Sequence, residues 1–238
     1  MGTTVLAAVG LYLFLLGREK LSARQAARTL DRLETLRVGS LAADFDHAVQ
    51  ECRVTKSGSV STCLIDAGAF RSGYPWKLVW MLPADWPDRI TAMLRRAGLR
   101  WWRISVSATI GDERIQEINV TAIVDGRYES LEADWSISNQ LPAHLTNLHP
   151  NPDQQKLTYM GWFHITSGLS GEGFRIRATP DSTEEEMLAG RINPSCLFSF
   201  RGCDGLCELL PDAARFLKEH HRSWGGWTSV PRSKCELK

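Results

Sequence analysis

The chain carries almost no net charge: 28 Lys and Arg offset 27 Asp and Glu and leave +1. A dedicated nucleic-acid binder shows a strongly basic balance or stripe, so that class is set aside and no nucleic-acid partner is expected. No internal repeat and no low-complexity tract is found. The composition is also not that of a disordered chain. At 43% hydrophobic and 23% charged residues it reads as an ordinary folded protein.

A recognisable catalytic constellation is missing too. Gly168-Leu169-Ser170-Gly171 has Glu172 where a nucleophile elbow needs glycine, and a strand pattern follows where that motif needs a helix. The Gly168–Gly173 loop lacks the lysine of a phosphate cradle. Glu184, Glu185 and Glu186 are consecutive on a helical pattern, so they diverge. They suit a helix N-terminal dipole better than a convergent acid–base pair. The six histidines, His47, His144, His149, His164, His220 and His221, stand in no known zinc motif. His144, His149 and Asp153 share a polar connector. No catalytic residue, cofactor site or metal ligand is assigned, and the reading leans away from an enzyme.

What is present begins at the N-terminus. Residues 1–17 contain no charged side chain, and Val5–Leu16 is apolar but for one Gly and one Tyr. A helix needs about 17 to 20 such residues to span the hydrocarbon of a bilayer, so 1–17 is expected to be a transmembrane anchor with membrane lipid as its partner. A cleaved leader is the alternative, but no basic region precedes the apolar run and Leu16-Gly17-Arg18-Glu19 is a poor cleavage site. Arg18, Lys20, Arg24 and Arg28 follow the run. By the positive-inside tendency they would hold the body in the cytoplasm.

The cysteines point the other way. Cys52, Cys63, Cys196, Cys203, Cys207 and Cys235 are an even set, which fits disulfides in an oxidising compartment. Cys52 and Cys63 flank Ser57-Gly58 symmetrically; a two-residue hairpin turn there would set them opposite one another at bridging distance. The remaining four cysteines allow two more bridges. A zinc site with His220 or His221 is the alternative, although only Cys203-x3-Cys207 has knuckle spacing. Disulfides are the preferred reading, and with them an extracytoplasmic body.

Along the chain, Ser22 and Gln25 have capping-box spacing ahead of a helix whose inward face is Ala23, Ala26, Ala27, Leu30, Leu33 and Leu36. Ser40 can cap a short helix with Leu41, Phe45, Ala48 and Val49 inward. A buried strand is expected at Leu78–Leu82, and a helix from Pro87 to Gly98 with Ile90, Met93, Leu94 and Ala97 on one face. Three alternating segments follow: Trp102 to Ile110, Ile118 to Val124 and Leu131 to Ile137. A three-residue loop at 111–113 would pair Val106 with Ile118, and a turn at Asp125-Gly126 would pair Val120 with Leu131. All apolar residues then share a face, and Arg103, Ser105, Ser107, Glu117, Asn119 and Thr121 line a wet one. Further strands are expected at Leu157–Thr166 and Gly173–Thr179. A helix capped by Ser182 or Thr183 should cover Glu184–Ile192, and a last helix should start at Pro211.

The expected architecture is α+β: an N-terminal transmembrane helix, then helices on one face of a curved, mainly antiparallel sheet of about five strands. Residues 18–238 are taken as one domain, with 138–156 a candidate sub-boundary and 193–238 a cysteine-containing C-terminal region. Nine tryptophans are many for this length. Most fill the core in this reading, while Trp101, Trp224 and Trp227 are candidates for a binding surface. The functional expectation is a membrane-anchored structural or interaction domain with a protein partner, such as an accessory subunit of an envelope complex. The alternatives are a module binding lipid, sugar or peptide on the concave sheet and tryptophans, and a zinc protein built on the C-terminal cysteines.

Overall fold

A single helix, α1, runs unbroken from Gly2 to Leu33. Ser22 lies in its interior, so the expected cap and the break between an anchor and a following helix do not exist. The helix continues because nothing between Gly17 and Ala23 stops it: there is no proline, and Arg18, Glu19, Lys20 and Leu21 are good helix formers. The computed structural model describes residues 2–67, 93, 96–125, 130–138, 157–166, 169–188, 190–199, 202–203, 205–213 and 215, the backbone alone at 2–5, 7–8, 67, 130, 157–166, 169–174 and 185–186. The expected strand at 78–82, the connector at 139–156 and most of the helix at 87–98 lie outside these residues. Of that last helix, Met93 and Arg96 are helical and Met93 is 61% exposed, not inward.

The remaining elements are α2 (Ala42–Ala48), β1 (Arg53–Ser57), β2 (Val60–Ala67), β3 (Trp102–Gly111), β4 (Arg114–Asp125), β5 (Ser130–Ser138), β6 (Leu157–Thr166), β7 (Leu169–Ala178), α3 (Glu184–Leu188), α4 (Ser195–Phe198) and α5 (Leu206–Leu209). The strands form one seven-stranded sheet in the order β1-β2-β3-β4-β5-β7-β6. The α+β class stands. The sheet is larger than expected and mixed, because β7 runs parallel to β5 while every other pair is antiparallel.

The registers differ from the expected ones by even steps. Val106 pairs with Val120 and Ile104 with Ala122, because the β3–β4 loop is only Asp112-Glu113. Both of those residues take positive φ, 52° and 60°, as a type I′ hairpin demands, and a bulge at Thr109/Ile110 absorbs the odd residue. Val120 pairs with Trp135 and Val124 with Leu131, since β4 runs to Asp125 and the turn lies beyond it. Side chains alternate with period two, so an even slip changes partners and keeps faces. Trp102, Ile104, Val106, Ala108, Ile118, Val120, Ala122, Val124, Leu131, Ala133 and Ile137 are accordingly all buried together.

The helices cover that face. From α1 come Ala23, Ala26, Leu30 and Leu33; from α2 and its end, Phe45, Ala48 and Val49; from the C-terminal region, Leu197, Leu206 and Leu209. Ala27 is only half-buried. Leu41 is 51% exposed, not inward: it bridges to Arg114 at the hairpin end of β4, and its N–H donates to Asp44 Oδ2 at 3.1 Å. Ser40 does not cap α2, whose N-cap is Leu41; its Oγ accepts from the N–H of Arg37, and the Ser182 Oγ accepts from the N–H of Thr179. Outside the core, Arg28 donates to Glu51 at 2.6 Å and Arg32 to the same carboxylate at 2.8 Å, which ties α1 to the end of α2. The hydrogen bond from Arg28 holds the Glu51 carboxyl below its ordinary range.

Candidate functional site

The first half of α1 makes an unusual surface. Leu6 is 73% exposed, Leu11 and Leu13 are each 60% and Phe14 is 66%, and Val9 is exposed as well. The opposite side of the same stretch is held to the body: the Tyr12 hydroxyl donates to the Ala97 carbonyl at 2.7 Å. Leu6, Val9, Leu13 and Gly17 succeed one another at three- and four-residue steps, which is one strip along a helix. Single exposed leucines are ordinary, but a contiguous row of large apolar side chains marks an interaction surface. Among the described residues no helix is long and apolar enough to cross a membrane, so the expectation of a full span over 1–17 lacks support.

Where the strip ends, α1 turns its other face to the body. Glu19 is buried beside Arg100. Burial raises its carboxyl from 4.5 to about 7, against the opposing hydrogen bond from the Arg100 backbone and the charge of Arg100. The sequence reading missed this residue. The signal was its spacing: Glu19, Ala23, Ala26, Leu30 and Leu33 are one face of one helix.

The cysteines meet as expected in part. Cys52 and Cys63 are bridged, with Cα atoms 5.7 Å apart. They are not opposite one another: Val54 faces Cys63, and the turn is Gly58-Ser59, with Gly58 at φ 58°. The bridge runs diagonally from the residue that precedes β1. Cys196 and Cys203 form a second bridge with Cα atoms 4.8 Å apart, and Cys207 is disulfide-bonded as well. These bonds take up the sulfurs that a zinc site in this cluster would use. Among the described residues no three His, Cys, Asp or Glu gather as metal ligands. Cys235, His220, His221, Trp224 and Trp227 lie outside the described residues, as do His144, His149 and Asp153.

Trp101 is not the exposed platform that strand alternation suggested. It is 6% exposed, with the Arg103 guanidinium 5.4 Å from its ring centroid, a cation–π distance. Arg103 and its neighbours on the polar face are half-buried, and Asp134 on β5 is buried and accepts two hydrogen bonds from Arg175 of β7, at 2.6 and 3.0 Å. That pair locks the parallel strands at their contact.

A cavity of about 170 Å³ opens between α1, the sheet and α3. Leu30, Leu33, Trp135, Met187 and Ile192 line it, and a Glu34–Arg191 ion pair stands at its rim. Gly190 lies against Trp135 so closely that a Cβ there would come 1.6 Å from Cδ1 of the indole. The sequence placed Trp135 on the inward face without showing that the packing leaves space beside it. Compared with protein-family models, curated proteins and solved structures, the chain matches none.

Proposed function

We propose that this protein is a disulfide-stapled structural or interaction domain held at a membrane by the first half of α1, on the oxidising side of that membrane. It would serve there as an accessory subunit of an envelope complex. The observation that carries the reading is the exposed strip Leu6, Val9, Leu13 and Phe14 on a helix whose other side is fastened to the body. Its outward apolar side chains gain about 25 cal/mol for each Å² taken out of water. Residues 2–17 would measure about 24 Å as a helix, somewhat short of the roughly 30 Å of bilayer hydrocarbon. Partial or tilted insertion therefore fits better than an upright span.

The compartment rests on the two bridges, which persist where thiols are oxidised. A second reading, a site for a small apolar ligand, is supported by the cavity beside Trp135.

Flotation with phospholipid vesicles tests the main reading. The parent protein is expected to float. Leu13→Glu/Phe14→Glu, whose side chains touch water in the free protein, is expected to stay in the dense fraction with an unchanged melting profile. Flotation of the double variant at the parent level would refute the tether.

A further inference from the structure

The strip that begins with Leu6 does not end at Gly17. Continuing at the same three- and four-residue steps it reaches Lys20 and then Arg24, so the face of α1 that is apolar in its first half becomes basic in its second. Lys20 and Arg24 are exposed, and so is Arg18, on the other flank of the outward side of the helix. None of the three is in an ion pair among the described residues, whereas the next cation, Arg28, is bound to Glu51. The first 30 residues hold a single acid, Glu19, and it is buried on the opposite side of the helix. Before Asp31 the exposed charges of α1 are therefore all cationic, with Leu21, 64% exposed, among them.

Resting on the membrane reading above, we propose that Arg18, Lys20 and Arg24 bind anionic phospholipid headgroups, so that the protein selects negatively charged bilayers. The spacing fits. With the apolar strip in hydrocarbon up to Gly17, a rise of about 1.5 Å per residue puts Lys20 at most about 4–5 Å and Arg24 at most about 10 Å further out, less as the helix tilts. The headgroup layer begins at the edge of the hydrocarbon and is about 5–8 Å thick on each side. Arg18 and Lys20 then stand among the phosphates and Arg24 at their outer boundary. The long stems of all three can reach the layer from the helix surface. Each basic residue near an anionic surface contributes about 1 kcal/mol, equivalent to roughly fivefold in partitioning.

The test is flotation of the full chain with two kinds of vesicle, one of phosphatidylcholine alone and one with a third of it replaced by phosphatidylglycerol. The parent is expected to bind the anionic vesicles roughly 100-fold more tightly, and the triple variant Arg18→Gln/Lys20→Gln/Arg24→Gln to lose that preference while still binding phosphatidylcholine. Raising salt from 0.05 to 0.5 M should erase most of the parent's preference, since exposed charges are screened at that strength. Equal binding of the parent to both vesicles, or an unchanged preference in the triple variant, would overturn the headgroup proposal and leave the tether standing. Binding to neither vesicle would overturn both.

Discussion

Trp102→Ala is expected to lower the free energy of unfolding by about 3–5 kcal/mol. Trp102 is the largest of the fully buried side chains, 1% exposed. It stands on β3 between Ala67 of β2 and Val124 of β4, beneath the helices that close the core. Removing the ring leaves a cavity under the strand ends of the sheet that rigid neighbours cannot fill. Trp102→Phe is expected to cost much less, about 1–2 kcal/mol. The indole Nε1 is buried without a hydrogen-bond partner among the described residues, so phenylalanine removes an unsatisfied donor along with part of the ring. Urea unfolding separates the two variants through their midpoints, with the slope unchanged if the native surface is kept. An alanine variant as stable as the parent would mean that the sheet's apolar face is not the core.

The second large effect is a pH dependence set by Glu19. Its native carboxyl titrates at about 7, against 4.5 when unperturbed. Below the lower value both folded and unfolded chains are protonated, and Glu19 imposes no penalty. Between the two values the unfolded chain has released a proton that the folded one keeps, so stability falls as pH rises. Above 7 both forms are ionised and the whole cost stands, at most about 3 kcal/mol. Glu19→Gln removes this titration. The variant is expected to exceed the parent in stability at pH 8, by up to that amount, and to lie close to it at pH 5. Denaturant midpoints at the two values check this, and a variant that is equal to or weaker than the parent at pH 8 would show that Glu19 is not desolvated.

Much of the fold was legible because the strand pattern is strict. Ile104, Val106, Val120 and Ala133 reveal their common face from alternation alone, and that inference survives any even slip in register. The pairings themselves were not legible. They depend on whether Asp112 and Glu113 accept positive φ and on where β4 ends, and sequence alternation carries neither. The parallel contact of β7 with β5 depends on how the chain returns after β5, a tertiary choice that local pattern does not encode. At the candidate site, the apolar run before Gly17 was plain. Its continuity with the helix through Leu33 was obscured by Ser22, a good cap residue that here sits in mid-helix. Trp101 was misjudged because alternation assigns it to the polar side, and that side is only partly open to water.

The membrane reading meets its most direct test in amide hydrogen exchange of the intact protein with and without anionic phospholipid vesicles. In water, the peptide covering residues 2–17 belongs to a helix half with much of its apolar surface exposed and should exchange quickly, whereas β3, β4 and β5 are protected by the core. With vesicles present, exchange in 2–17 should slow by at least tenfold, because water is scarce in the bilayer and an open backbone group there costs several kcal/mol. The strands should be unchanged. Identical exchange of residues 2–17 in both conditions would contradict the account.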